Sequence, residues 1–258
     1  LKSILFVFVF FFSLHLNAST KLLLIGGGTR PESAMAKFAS LAGSTKANIL
    51  IIGWASTQAN PASTIQSELS KYNPKKIEVA PLAPMNAQDK MHFLSQLKTA
   101  TGIFFTGGDQ NRIMSELEDL TLRGKLIQMY QDGIIFAGTS AGTAIMSKTM
   151  LTGNGDLTVI NGSAIETTNG LGLLAENIII DQHFIVRQRF NRLAGLILNS
   201  KTNLGIGIDE GTALLVTDNA NAEVIGPTQV IFFDGINEKS MKLTILSDGE
   251  EFNLKTRQ

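Results

Sequence analysis

Ser140 has the neighbours a reactive hydroxyl needs. It lies in Ile134 to Met146, where a short apolar run leads into Gly138-Thr139-Ser140-Ala141-Gly142 and then a helix start. A serine flanked in this way sits on a sharp strand-to-helix turn, its hydroxyl pushed out of the sheet and backbone N–H groups pointing at its surroundings. Glycine at 138 and 142 keeps side chains out of the turn and of the helix behind it. The same residues also suit an ordinary connection in which Ser or Thr caps the helix. A base, an orienting acid and an oxyanion site elsewhere would separate the two readings.

Histidine is the commonest base for a serine, and the chain has three. His15 falls in the N-terminal apolar run, and His92 lies on a helix where a surface or packing role fits. His183 follows the apolar strand Ile178-Ile179-Ile180-Asp181, so it stands at a strand's carboxyl end, the edge where Ser140 is expected. Around it Asp181, Gln182, Arg187, Arg189 and Arg192 gather polar and cationic groups. The arginines cannot all share one helix face, and at least one could reach a ligand carboxylate. Asp209 and Glu210, after the strand from Gly205 to Ile208, are both candidates for orienting an imidazole. The turn Thr106-Gly107-Gly108-Asp109, with the N–H of Ala141, offers donors for a developing oxyanion.

The elements that must position these groups alternate. Apolar runs at 21–25, 48–52, 77–79, 102–106 and 134–137 read as strands buried on both faces. Helical patterns fill the intervals: 31–43, 61–72, 87–98 through Met91, Leu94 and Leu97, and 112–130 with a break near Gly124. Another helix is expected from Arg187 to Leu198, and 153–156 and 169–172 read as surface loops. Four closely spaced apolar runs from 205 to 233 suggest an antiparallel finish to the sheet. The fold class expected is α/β, a mostly parallel sheet with helices on both faces and an antiparallel C-terminal part, with ligand sites at the strands' carboxyl ends.

The 258 residues, 44% hydrophobic and 17% charged, can bury a large core. Lys+Arg and Asp+Glu both number 22, so no global field favours nucleic acid or an anionic surface. Residues 1–18 have one lysine, a short apolar run and Leu16-Asn17-Ala18, the layout of a secretory signal peptide; an uncleaved anchor is the alternative. One domain over 19–258, in the periplasm or secreted and without membrane attachment after cleavage, is expected. The chain has no cysteine, which removes disulfides, thiol nucleophiles and Cys-based metal sites.

Taken in order, Gly107-Gly108-Asp109-Gln110, Gly138 to Gly142, Asp181-Gln182-His183-Phe184 with its spaced arginines, and Gly207-Ile208-Asp209-Glu210 resemble the cyanophycinase family of serine peptidases over Leu22 to about Phe233. The resemblance implies a class I glutamine amidotransferase-like fold with serine in place of that family's cysteine. It makes Ser140 the nucleophile, His183 the base and Glu210 the acid, with Gly108 and Ala141 as oxyanion donors. Gln110, Asp181, Gln182, Arg187, Arg189 and Arg192 would line the substrate pocket. It implies no cofactor or metal, a homodimer, and a peptide substrate. Cyanophycinases cut a poly-aspartate carrying arginine on each β-carboxylate and release β-Asp-Arg. The expected reaction is acyl transfer with attack on a β-aspartyl carbonyl. An isoaspartyl or α-aspartyl dipeptidase and a non-catalytic binding protein on the same scaffold are the alternatives. Thr143 stands where many relatives would carry a smaller residue, and the 153–156 and Asn169 segments match no family motif.

Overall fold

The computed structural model describes residues 18–200 and 203–258; all of the expected signal peptide except Ala18 lies outside them. An eight-stranded sheet forms the centre. Strands β1 (Lys21–Ile25), β2 (Asn48–Ile52), β3 (Lys76–Val79), β4 (Gly102–Phe105) and β5 (Ile135–Thr139) pair in parallel in the order β1-β5-β4-β2-β3. Their unbroken apolar runs follow from burial on both faces. Leu22 and Leu24 join one core cluster with Leu50, Phe105 and Phe136, and Leu23 and Ile25 join another with Ile49, Phe104 and Ala137. Helices α1 (Glu32–Leu41) and α2 (Ser63–Ser70) cover the second cluster through Met35, Phe38, Ile65 and Leu69. Helix α3 (Ala87–Leu97), with α4 (Gln110–Glu116) and α5 (Leu120–Gln131), covers the first.

The break expected at Gly124 falls instead at residues 117–119, and Gly124 lies within α5. Asp119 starts the new helix, its carboxylate accepting from the N–H groups of Thr121 and Leu122. Helix α3 buries Phe93 and Leu97, while Met91 is 66% exposed, so its apolar face is rotated from the expected one.

After α6 (Ala141–Ala144), part of the segments expected as loops, Gly153 to Gly155 and Asn169, falls in a hairpin of β6 (Thr149–Gly155) with β7 (Ile165–Asn169), while 170–172 stay without regular structure. The apolar strands beyond it divide between two sheets, where one sheet was expected. Strands β10 (Ala213–Thr217), β11 (Asn221–Ile225) and β14 (Glu251–Asn253) extend the central sheet antiparallel from β1. Strands β8 (Ile178–Gln182), β9 (Leu204–Ile208), β12 (Val230–Asn237) and β13 (Ser240–Leu246) make a second, four-stranded sheet, in which β8 and β9 run parallel. Helix α7 (Phe190–Leu198) packs on it through Leu193 and Ile197. It starts later than expected because residues 183–189 form turns. No described helix is long and apolar enough to cross a membrane.

Candidate active site

The carboxyl end of β1 joins the two sheets. The carbonyl of Ile25 accepts from the N–H of Ser140 at 3.1 Å, that of Gly26 from His183 at 2.8 Å, and that of Gly27 from Gly211 at 3.0 Å. Three consecutive carbonyls thus fix the turns after β5, β8 and β9. The glycine run 26–28 follows β1 directly. Its reason is contact: a β-carbon on Gly27, at φ +113°, would fall 2.2 Å from Cε1 of His183, and one on Gly28 would fall 2.8 Å from Oε2 of Glu210.

Ser140 occupies φ 53°, ψ −113°, a conformation that costs a non-glycine residue roughly 1–3 kcal/mol. It precedes α6 but makes no capping bond with its side chain. Its Oγ lies 2.7 Å from Nε2 of His183, and Nδ1 of His183 bonds Oε1 of Glu210. The cap reading of this turn is therefore not the one the side chain adopts. Thr143, fully buried, directs its hydroxyl at the carbonyls of Ile25 and Gly138, each 2.7 Å away, and so ties the first turn of α6 to β1 and β5.

Asp209 and Glu210 separate by direction, as successive side chains at a strand end do. Glu210 reaches the imidazole. Asp209 is buried and accepts from the N–H groups of Ile185 at 2.9 Å and Val186 at 3.1 Å, which holds the turn after His183. The Glu210 carbonyl accepts from the hydroxyl of Thr228 at 2.9 Å, a support that no sequence pattern indicated. Burial pushes the His183 imidazole below its usual value, Arg187 and Arg189 add to that, and the bond to Glu210 opposes it. A neutral imidazole at neutral pH can accept a proton from the serine.

Gly107 and Gly108 bring the β4–α4 turn up to the serine. A β-carbon on Gly107 would stand 3.3 Å from Cβ of Ser140. Gly108, at φ +141°, has no room for a side chain because the Ala55 carbonyl oxygen would be 2.3 Å away. The N–H groups of Gly108 and Ala141 make no hydrogen bond among the described residues.

The remaining positions divide into those turned inward and those open to solvent. Asp181 and Arg192 form a two-pronged pair with Nε to Oδ2 at 2.6 Å, and their residues are only 1% and 2% exposed. They join β8 to α7 and present almost no surface. Arg189 donates to the carbonyl of Gln182 at 2.7 Å and to its side-chain oxygen. Burial and the neighbouring Arg192 bring the Arg189 guanidinium down to about 10, so it stays cationic at neutral pH. Arg187 is half-exposed with Nε 3.9 Å from Glu210. Gln110 donates to the Leu151 carbonyl at 2.9 Å and so meets the β6–β7 hairpin. His92 is exposed on α3. Among the described residues, no cluster of three or more His, Cys, Asp or Glu is placed to hold a metal ion.

A cavity of about 280 Å³ opens beside Ser140, its wall including Gly27, Thr106, Gly107 and Thr139. Arg30 also lines it, from the loop between β1 and α1. That residue lay outside every sequence motif.

A model of Peptidase family S51 matches residues 22–224. The chain is 31% identical to the cyanophycinase of Trichormus variabilis over 259 residues, 92% of this chain and 87% of that one. It is 29% identical to the cyanophycinase of Synechococcus elongatus, across 95% of this chain and 82% of the other. The crystal structure of a peptidase from an acI-B1 Actinobacterium superposes with a TM-score of 0.65 at 21% identity, covering 93% of this chain and 98% of its own, a likeness of fold. The large, mostly parallel sheet covered by helices, with this likeness, agrees with the class I glutamine amidotransferase-like fold. Matched along most of its length, this chain belongs to peptidase family S51, the cyanophycinase family of serine peptidases.

Proposed function

We propose that this peptidase acts by acyl transfer through Ser140, His183 and Glu210, on peptides with a β-substituted aspartyl residue. The observation that carries the reading is the 2.7 Å approach of Ser140 Oγ to His183 Nε2, with Glu210 on the other ring nitrogen. His183 takes the hydroxyl proton as Oγ attacks the carbonyl, and Glu210 holds the ring and its developing charge. The N–H groups of Gly108 and Ala141 receive the oxyanion. The imidazolium then protonates the leaving nitrogen, the C–N bond breaks, and water, deprotonated by His183, releases the acyl group.

The relatives named cyanophycinase support a poly-aspartate substrate with arginine on the side chains. Atom balance revises the expected point of attack. A released β-Asp-Arg still contains its β-linkage, so the bond broken is the main-chain amide between aspartates. A small aspartyl dipeptide would use the same three side chains. Incubation with cyanophycin and with a panel of β-Asp and α-Asp dipeptides tests the reading. Release of β-Asp-Arg from the polymer supports it, and turnover of the dipeptides alone refutes the polymer assignment. Secretion rests on the layout of residues 1–18 and a homodimer on the family likeness. N-terminal sequencing and sedimentation test them.

A further inference from the structure

The arginines near His183 are largely engaged with their own chain: Arg192 with Asp181, and Arg189 with Gln182. Arg30 is placed differently. It is the charged residue in the wall of the Ser140 cavity, and its side chain is 15% exposed. Glu68 of α2 occupies one edge of its guanidinium, with Nε to Oε2 and Nη2 to Oε1 both 2.6 Å. Nη1 makes no hydrogen bond among the described residues. The edge formed by Nη1 and Nη2 therefore keeps N–H groups for a second planar acceptor, and a carboxylate is the group that fits two parallel donors. In the same wall Thr106, 2% exposed, has a hydroxyl with no partner among the described residues, a further polar group left unsatisfied there.

We propose that Arg30 is a specificity-determining residue which holds a carboxylate of the substrate in the cavity beside Ser140, with Glu68 fixing the guanidinium. The inference rests on the peptidase reading above and names which charged group of the substrate is recognised and where. Because Glu68 already balances the charge of Arg30, the preference for a carboxylate comes from directed hydrogen bonds more than from net charge. The expected discrimination is about tenfold, the low end for hydrogen bonds to charged groups.

The test is calorimetric binding to the Ser140→Ala protein, which cannot turn the ligand over. The probes are β-aspartyl-arginine and the same dipeptide with both carboxylates converted to carboxamides. Adding Arg30→Met is expected to weaken the acid about tenfold and leave the carboxamide unchanged, with Arg30→Lys intermediate. An unchanged affinity for the acid, or an equal loss for both probes, overturns the proposal. If Arg30→Met leaves Glu68 unpaired and the protein unfolded, the Arg30→Met/Glu68→Met pair gives the same comparison. Phosphonate labelling of Ser140 in the otherwise unchanged protein reports separately on the peptidase reading. An unlabelled serine sinks that reading, and the acid-to-carboxamide ratio still decides the role of Arg30.

Discussion

Gly27 lies flat against the imidazole of His183. A β-carbon there would fall 2.2 Å from Cε1, 2.6 Å from Nε2 and 2.7 Å from Nδ1. The ring is thus held from one side by bare backbone and at its two nitrogens by Ser140 and Glu210. The alignment of imidazole and hydroxyl depends on the absence of a methyl group.

Gly27→Ala should displace the ring, since backbone at φ +113° cannot move away without losing the Gly27 carbonyl bond to Gly211. A misplacement of roughly 1 Å costs on the order of 100-fold in rate. Steady-state kinetics should show a fall in kcat of at least that size in protein that still unfolds cooperatively. Full activity would mean that the ring position is not set by this contact.

Glu210→Gln and Asp209→Asn should separate chemistry from support. The first removes the charge on Nδ1 and should lower kcat by about 10³- to 10⁴-fold with little change in stability. The second weakens the acceptor for two N–H groups at a buried site and should cost about 1–3 kcal/mol of unfolding free energy. Chemical denaturation and kinetics on the same samples check both. Equal effects of the two on kcat would refute the division of roles.

Asp181→Leu strips the buried Arg192 of its partner and should cost about 3–5 kcal/mol, while Arg192→Met leaves Asp181 with Arg189 at 3.6 Å and should cost less. The double variant should recover much of that loss. Urea unfolding of the four proteins in the cycle measures it, and additive losses would show that the buried pair is not coupled.

The activity of the protein should keep its acid limb below pH 6.5, the ordinary histidine value, because burial lowers the affinity of His183 for a proton. The sign for stability follows from the same shift. The unfolded chain takes up this proton near pH 6.5 and the folded one only at lower pH, so acidification through that window favours unfolding. The pH profile of kcat/KM, set against that of unfolding, checks both. An acid limb above 6.5 would contradict the assigned cause.

The parallel strands were legible because burial on two faces leaves an unbroken apolar run, as at Leu22 to Ile25. The second sheet was not legible, since Leu204–Ile208 and Ala213–Thr217 have the same local texture and differ only in distant partners, Val230–Asn237 for one and β1 for the other. Strand β13 alternates and buries none of its residues fully, so no apolar run marked it. At the site, residue types nominated Ser140, His183 and the pair Asp209 and Glu210, but which acid meets the ring depends on side-chain direction. Arg30 escaped notice because its contact with the Ser140 cavity is made by the fold and leaves no local pattern.

The most direct measurement is mass spectrometry of the protein after exposure to a serine-directed phosphonate, paired with hydrolysis assays of Ser140→Ala. One adduct is expected, on Ser140, slowed by His183→Ala, together with loss of hydrolysis by Ser140→Ala in protein that remains folded. A folded protein with Ser140 unmodified, or a Ser140→Ala variant that still hydrolyses substrate, would contradict the role of Ser140.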